Sequence, residues 1–234
     1  MISMRAVEAV VFDLDGTLVR SELDYGEMAR RVKEILITEG APEEELDEPR
    51  KIWPIIRGGD GALKELGLST KRVKPTLKLI NEALNAVEAL SLEKVEPMSG
   101  ALETLRCLRA RGLRIGVATR GGSQYAKRSL ELTGLTEFVD VVLARDEVEH
   151  PKPDPRHLLQ VVRALNATPQ RVIYVGDTTT DLSTAKEAGI AFIGYAGDEE
   201  WAKRMREAGC RAFVSDLLEI VKIVEEGLNP SNAN

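Results

Sequence analysis

The chain has 234 residues, of which 43% are hydrophobic and 30% charged, and its formal net charge is −6. This is enough apolar material for one large domain or a core with an insert, while the acidic balance argues against nucleic acid as a partner. No apolar run approaches the length that crosses a membrane, and the two cysteines, Cys107 and Cys210, lie outside paired metal or redox motifs. We therefore expect a cytoplasmic protein.

The first predicted element is a short apolar strand at residues 10–12, followed by an Asp-Leu-Asp-Gly-Thr motif that contains Asp13 and Asp15. Because the chain turns at Gly16, we expect both carboxylates at the end of the strand, close together and open to a crevice. Neighbouring anionic groups are electrostatically unfavourable there unless a cation or a reaction uses them. A plain turn, in which Asp13 caps the next segment, explains the same residues equally well.

Residues 19–96 contain no convincing strand and show helical spacing at 25–36 and 73–87. These 78 residues therefore separate the first predicted strand from the strands that follow it. We interpret them as an α-helical insert; two ordinary crossover helices are the alternative, although one crossover rarely needs so many residues. The predicted division is a core at 1–18 and 97–228, a helical cap at 19–96 and a tail at 229–234.

From residue 97 onward, short apolar runs alternate with helical patterns, which indicates crossover units and a parallel sheet covered on both faces. The predicted strands lie at 113–118, 138–143, 171–176, 190–194 and 212–214. The predicted helices lie at 101–111, 124–132, 155–165, 180–188, 201–208 and 217–225. Since open parallel sheets bind ligands beyond the carboxyl ends of their strands, each strand end is a place to look for chemistry.

Two of these strand ends offer groups suited to an anion. Thr119 precedes a flexible Arg-Gly-Gly sequence at a helix start, where free backbone N–H groups favour negative charge. Taken alone, Thr119 is better explained as a plain helix cap, a common role for threonine. Lys152 stands between Pro151 and Pro153, which restrict the backbone around it. A solvated lysine in a proline-rich connection is the alternative. Neither histidine falls at a motif position, and we expect His157 on a helix surface.

A further strand ends in Gly176 and Asp177, with Asp181 four residues later at a helix start. Compensation of the helix dipole explains one of these aspartates comfortably and two less well. Together with Asp13 and Asp15 they gather several negative charges at one sheet edge, where a phosphate would be repelled. A hard divalent cation resolves the repulsion, and ligands that are all oxygen favour Mg²⁺.

The four motifs, in this order, resemble those of the haloacid dehalogenase-like superfamily, specifically its phosphoglycolate-phosphatase-like members with a helical cap after the first motif. The resemblance runs from residue 10 to about residue 193. It implies a Rossmann-like, three-layer α/β core with the insert acting as a mobile lid.

The resemblance also implies roles for individual residues. Asp13 is then the nucleophile that forms an aspartyl-phosphate, and Asp15 protonates the leaving oxygen and later activates water. Thr119 and Lys152 hold the transferring phosphoryl group. The implied Mg²⁺ ligands are Asp13, the backbone carbonyl of Asp15, and Asp177, with Asp181 as a further ligand or as support for the others.

Three positions bear on the substrate. Dehalogenases of this superfamily lack the acid at the position of Asp15, so its presence favours phosphoryl transfer. Arg120 stands where many relatives carry asparagine, and it either touches the substrate or pairs with an acidic neighbour. Arg57, in the glycine-rich part of the insert, is expected to reach the substrate from the lid, with an exposed loop arginine as the alternative.

The sequence therefore predicts a Mg²⁺-dependent phosphomonoester hydrolase that acts on a small phosphorylated metabolite. A sugar-phosphate phosphomutase with the same core is the nearest alternative. A non-catalytic domain that binds a phosphorylated ligand is an alternative of another class. A homodimer is compatible with the sequence, which singles out no surface for it.

Overall fold

The computed structural model describes residues 7–46, 49–56, 60–197 and 199–226. The predicted tail at 229–234 and Arg57 lie outside these residues. The strands are β1 Ala9–Phe12, β2 Val19–Arg20, β3 Glu96–Pro97, β4 Arg114–Ala118, β5 Val141–Leu143, β6 Val172–Gly176, β7 Ala191–Tyr195 and β8 Phe213–Val214. The α-helices are α1 Tyr25–Thr38, α2 Pro49–Ile56, α3 Asp60–Glu65, α4 Thr70–Ser91, α5 Ala101–Ala110, α6 Ser123–Leu132, α7 Pro155–Ala164, α8 Thr179–Ala188, α9 Glu199–Glu207 and α10 Glu219–Glu226.

Six strands form one parallel sheet in the order β5-β4-β1-β6-β7-β8. The first strand of the chain therefore lies inside the sheet, with Phe12 opposite Val117 of β4 and Val175 of β6. Because these neighbours are parallel and in register, β1, β4 and β6 end side by side at the same edge. From β1 the chain continues to β4 and β5 on one side of the sheet and to β6, β7 and β8 on the other. Open parallel sheets form a crevice where the strand order reverses in this way.

Both faces of the sheet are covered by helices, which confirms the predicted three-layer α/β core of Rossmann-like form. Val10 and Phe12 of β1 pack into one apolar cluster, while Ala9 and Val11 pack into another. Residues of α5, α6 and α10 belong to the first cluster, and residues of α7, α8 and α9 belong to the second. A strand buried on both faces reads as a continuous apolar run, which is how residues 10–12 appear in the sequence.

The four helices from α1 to α4 pack around an apolar cluster of their own, to which Val32, Leu36, Ile80 and Leu84 belong. Helix α1 begins after Asp24, whose side chain accepts a hydrogen bond from the backbone N–H of Glu27 at 2.8 Å, a usual N-cap arrangement.

A small antiparallel pair of strands joins these helices to the rest of the chain, with β2 beside β3. The expectation that residues 19–96 contain no strand is therefore wrong at both ends. Two residues are too few to show the alternation by which strands are recognised. The predicted strand at 138–143 is also shorter: residues 136–138 form a 3₁₀ turn, and β5 begins at Val141. Asp140, just before β5, accepts the backbone N–H of Ile115 with its carboxylate at 2.8 Å. No helix in the described parts of the chain has the length and apolar character needed to cross a bilayer.

Candidate active site

The turn that follows β1 brings the first motif against the fourth. The backbone N–H of Asp13 donates to the carbonyl of Val175 at 2.9 Å, so Asp13 continues the pairing with β6 to the edge of the sheet. Gly16 has φ +81°, and a Cβ built there would lie 2.3 Å from Oδ2 of Asp177. The hydroxyl of Thr17 donates to Oδ1 of Asp177 at 3.2 Å. The glycine of the motif is therefore required for a close approach as well as for its backbone angle.

Lys152 lies at the centre of the site and is fully buried. Its Nζ donates three hydrogen bonds of 2.7 Å, to Oδ1 of Asp13, to Oδ1 of Asp181 and to the hydroxyl of Tyr174. The Tyr174 hydroxyl in turn donates to Oδ1 of Asp181 at 2.6 Å. An ammonium has three donors, and here each has an acceptor inside the protein. The reading of Lys152 as a solvated loop lysine is thereby excluded.

His157 supports the backbone of this lysine and is not a surface group, so the expectation for it is wrong. The ring is fully buried, its Nδ1 accepts the backbone N–H of Lys152 at 3.1 Å, and its Nε2 lies 3.1 Å from the carbonyl of Leu143. The proton therefore belongs on Nε2, and burial lowers the pKa of His157 to about 4. The imidazole is neutral at physiological pH and serves to hold the loop.

Three aspartates converge beside the lysine. Asp13, Asp177 and Asp181 each offer a carboxylate oxygen, and these oxygens all lie within 4.8 Å of one another. Burial, followed by the negative charges of Asp13 and Asp181, raises the pKa of Asp177 to about 8. Burial also raises the pKa of Asp13 to about 6, although the charge of Lys152 opposes it. A hard divalent cation fits this set, because its ligands are oxygens and it would relieve their repulsion.

Asp181 differs from the other two because both of its oxygens are already occupied. Oδ1 accepts from Lys152 and Tyr174, while Oδ2 accepts the backbone N–H of Thr178 at 3.1 Å and its hydroxyl at 2.5 Å. Burial would raise the pKa of Asp181, but the charge of Lys152 and these hydrogen bonds hold it below its usual value. Asp13 and Asp177 are therefore better placed than Asp181 to ligate an ion directly.

The carboxylate of Asp15 has hydrogen-bond partners different from those of the other three aspartates. Its Oδ1 accepts from the hydroxyl of Tyr125 at 2.5 Å and from the hydroxyl of Ser21 at 2.7 Å. Burial raises the pKa of Asp15 in spite of these two donors. A raised pKa favours the protonated carboxyl group, the form that can give a proton to a leaving group.

The loop after β4 presents Thr119 and Arg120 beside β1. Thr119 is buried, and its Oγ1 accepts the backbone N–H of Gly121 at 2.9 Å, which leaves the hydroxyl proton free for another acceptor. Arg120 is half-buried. Partial burial and the negative charge of Asp15 raise the pKa of Tyr25 to about 12, and the charge of Arg120 opposes this. Tyr25 therefore lies within electrostatic reach of Asp15 and of Arg120.

The structure thus brings Asp13, Lys152, Asp177 and Asp181 into direct contact or close proximity, with Asp15 on the same turn as Asp13. Sequence reasoning missed Ser21 and Thr178, whose hydroxyl groups donate to Asp15 and Asp181. It also missed the two tyrosines Tyr174 and Tyr125. Both occupy positions that read as ordinary buried aromatics, one in an apolar strand and one on the inner face of a helix, so the pattern carries no signal for their hydroxyl groups.

Comparison with known proteins agrees with the motif order. The family model for haloacid dehalogenase-like hydrolases matches residues 10–195. The chain is 30% identical over 226 residues to pyrophosphatase PpaX of Halalkalibacterium halodurans, which covers 93% of this chain and 98% of that protein. It is 35% identical over 189 residues to phosphoglycolate phosphatase of Cereibacter sphaeroides, covering 78% and 82% of the two chains.

A solved structure from Thermotoga maritima, provisionally identified as a β-phosphoglucomutase, has the same fold. It superposes with a TM-score of 0.62 at 29% identity and covers 95% of this chain and 100% of its own. The resemblance inferred from the four motifs is confirmed, and the chain belongs to the haloacid dehalogenase-like hydrolase family.

Proposed function

We propose that this protein is a Mg²⁺-dependent phosphomonoester hydrolase that acts on a small phosphorylated metabolite through an aspartyl-phosphate on Asp13. The observation that carries the proposal is the 2.7 Å contact between Nζ of the buried Lys152 and Oδ1 of Asp13, beside the carboxylate of Asp177. A lysine in this place favours the ionised, nucleophilic form of Asp13 and puts positive charge where phosphoryl oxygens would arrive. The names of the similar phosphatase and pyrophosphatase support a reaction at phosphorus.

In the proposed reaction, a carboxylate oxygen of Asp13 attacks phosphorus and the bond from phosphorus to the ester oxygen breaks. The protonated carboxyl group of Asp15 gives its proton to the leaving oxygen. Asp15 then takes a proton from water as that water attacks the aspartyl-phosphate, which releases inorganic phosphate and restores both carboxyl groups. The raised pKa of Asp15 supports this use of one group as acid and then base.

The transferring oxygens need donors, and the chain supplies them from two sides. Lys152 offers its ammonium, and Thr119 offers a hydroxyl proton, since its oxygen already accepts from Gly121. Donors fixed before the reaction cost no reorganisation when charge develops on the phosphoryl group.

Asp13, the backbone carbonyl of Asp15 and Asp177 would hold Mg²⁺, with Asp181 supporting them because its own oxygens are engaged. When bound, Mg²⁺ supplies positive charge that offsets the charge on the transferring phosphoryl oxygens. The raised pKa of Asp177 supports a cation here, because a site built from repelling carboxylates is completed by one.

We further infer that residues 19–96 form a cap that closes over the crevice, with the core at 1–18 and 97–228. The separate apolar cluster of α1–α4 supports this division, and β2 and β3 mark its two connections. A closing cap limits bulk water and excludes large polymers, which is why the substrate is expected to be a small metabolite. The proposed location is the cytoplasm.

The test is the release of inorganic phosphate from a panel of phosphomonoesters, with Mg²⁺ and with excess chelator. We expect release that depends on Mg²⁺ and is absent from Asp13→Asn. Failure of the purified, folded protein to release phosphate from any ester would refute the proposal and favour a non-catalytic binding domain.

A phosphomutase is the second candidate, favoured by the similarity to the Thermotoga maritima structure. It uses the same nucleophile but returns the phosphoryl group to a sugar. Analysis of the products of a sugar phosphate separates the two, because an isomerised sugar phosphate without free phosphate indicates a mutase.

A further inference from the structure

A buried arginine outside the aspartate cluster connects the helical insert to the core. Arg145 follows β5, and its guanidinium donates to three side chains of α4. Nε donates to Oδ1 of Asn81 at 2.7 Å, Nη2 to Oδ1 of Asn85 at 2.7 Å, and Nη1 to Oε1 of Glu88 at 2.8 Å. These acceptors are spaced by four and three residues, so they lie on one face of the helix.

Arg145 and Glu88 also bind the backbone of the loop at 119–122. Nη1 of Arg145 also donates to the carbonyl of Arg120 at 2.6 Å, and Oε2 of Glu88 accepts the backbone N–H of Gly122 at 2.9 Å. A Cβ at Gly122 would lie only 2.2 Å from Oδ1 of Asn85. Helix α4 therefore lies directly against this loop, and any side chain at position 122 would have to displace Asn85 and Glu88.

The pair has no donor to spare for a ligand. Each of the five guanidinium N–H groups of Arg145 has an acceptor, since Nη2 also reaches Oε2 of Glu88 at 3.4 Å. The side chains of Arg145 and Glu88 are only 5% and 3% exposed. A buried ion pair adds little net stability, because desolvation of both charges offsets their attraction. Stability alone is thus a weak reason for placing one here.

We propose that Glu88 and Arg145 are positioning residues that couple the docking of α4 to the phosphate-binding form of the 119–122 loop. This rests on the proposed function, in which Thr119 at the start of that loop holds the phosphoryl group. The carbonyl of Arg120 and the N–H of Gly122 lie on either side of Gly121, whose N–H donates to Oγ1 of Thr119 at 2.9 Å. Releasing them therefore frees the peptide that orients the Thr119 hydroxyl. The coupling is reciprocal: phosphate bound at the loop strengthens the docking of α4 by the same factor as docking strengthens phosphate binding.

The test uses inorganic phosphate as the probe, in the presence of Mg²⁺, and two measurements. Calorimetry gives the affinity of the wild type, of Glu88→Ala and of Glu88→Gln. The control is Glu82→Ala, also on α4, whose side chain is 60% exposed and 3.9 Å from Lys78. We expect phosphate affinity to fall at least tenfold in Glu88→Ala, by less in Glu88→Gln, and not in the control.

The second measurement is amide hydrogen exchange of residues 81–88. It can be made on the wild type alone, so it does not depend on whether a variant folds. Phosphate should slow exchange there in the wild type and in Glu82→Ala, but not in Glu88→Ala. A loss of thermal stability in Glu88→Ala with unchanged phosphate affinity would show a purely structural role and overturn the inference. The inference is also overturned if phosphate does not change hydrogen exchange in α4 of the wild type, or if the wild type binds no phosphate.

The two proposals fail separately. If the wild type shows the coupling to phosphate but hydrolyses no ester, the proposed function is refuted and the coupling remains. If the wild type hydrolyses esters while Glu88→Ala binds phosphate normally, only the coupling is refuted.

Discussion

Replacing Lys152 by methionine removes the ammonium group to which Asp13, Asp181 and Tyr174 are all hydrogen-bonded. The substitution keeps the length and apolar stem of the side chain but deletes the ammonium, and with it the bonds to Asp13, Asp181 and Tyr174. Two buried carboxylates then face each other without a cation. We expect Lys152→Met to abolish phosphate release and to destabilise the metal-free protein strongly.

The magnitude follows from the burial of the partners. Removing one member of a buried, hydrogen-bonded ion pair costs about 3–5 kcal/mol, because the remaining charge is left uncompensated. In a domain of this size each kcal/mol moves the thermal midpoint by about 2–4 °C, so the expected loss is on the order of 10 °C. The cost should be smaller at pH 5 than at pH 8. Without Lys152 the pKa of Asp13 rises from its value of about 6, so protonation removes the repulsion at the lower pH.

The assay is thermal unfolding in chelator at both pH values, with Lys78→Met as the matched control. Lys78 is 80% exposed and only 3.9 Å from Glu82, so its loss should cost less than about 1 kcal/mol. A Lys152→Met protein that unfolds within 1 °C of the wild type at pH 8 would mean that the buried cluster does not form as described. An equal loss at both pH values would contradict the electrostatic account.

Three other outcomes are expected. Asp13→Asn should lower phosphate release at least a thousandfold with an unchanged circular dichroism spectrum; residual activity near that of the wild type contradicts its role as nucleophile. In chelator, stability should fall as pH rises from about 4 to about 8, because the pKa of Asp177 is about 4 when unfolded and about 8 when folded, so the folded state binds the extra proton. Mg²⁺ should flatten this dependence, and thermal midpoints that do not vary with pH would refute it. Gly16→Ala should destabilise by about 1–3 kcal/mol more than Gly112→Ala, because a Cβ at Gly16 lies 2.3 Å from Asp177, whereas Gly112 has φ +76° and open space. Equal denaturation midpoints for the two variants would contradict the clash.

The sequence predicts well what depends on strand ends. Asp13, Lys152 and Asp177 follow separate apolar runs, and a parallel sheet brings such positions to one edge without any knowledge of side-chain contacts. Their convergence is therefore a consequence of topology. In the structure, Nζ of Lys152 lies 2.7 Å from Oδ1 of Asp13. The order of the motifs then identifies the family, which the comparisons confirm.

What the sequence does not predict depends on tertiary contacts between residues that look ordinary. His157 lies on the inner face of α7, and its two ring nitrogens find partners that only the folded chain supplies. Arg145 and Glu88 are 57 residues apart, and each alone reads as a solvated charge on a turn or helix. The two-residue strands β2 and β3 are too short for any periodicity. The role of Arg120 stays a prediction, and so does that of Arg57, which lies outside the described residues.

The full occupancy of the Lys152 ammonium has a consequence for the release of products. Any anion that engages Nζ must displace an internal acceptor, so part of the favourable energy of the new hydrogen bond is spent on the one given up. The net attraction for a free anion is thereby moderated. If phosphate binds Lys152 as proposed, its departure would restore the hydrogen bonds of the lysine to Asp13, Asp181 and Tyr174, and these bonds would favour release of the product.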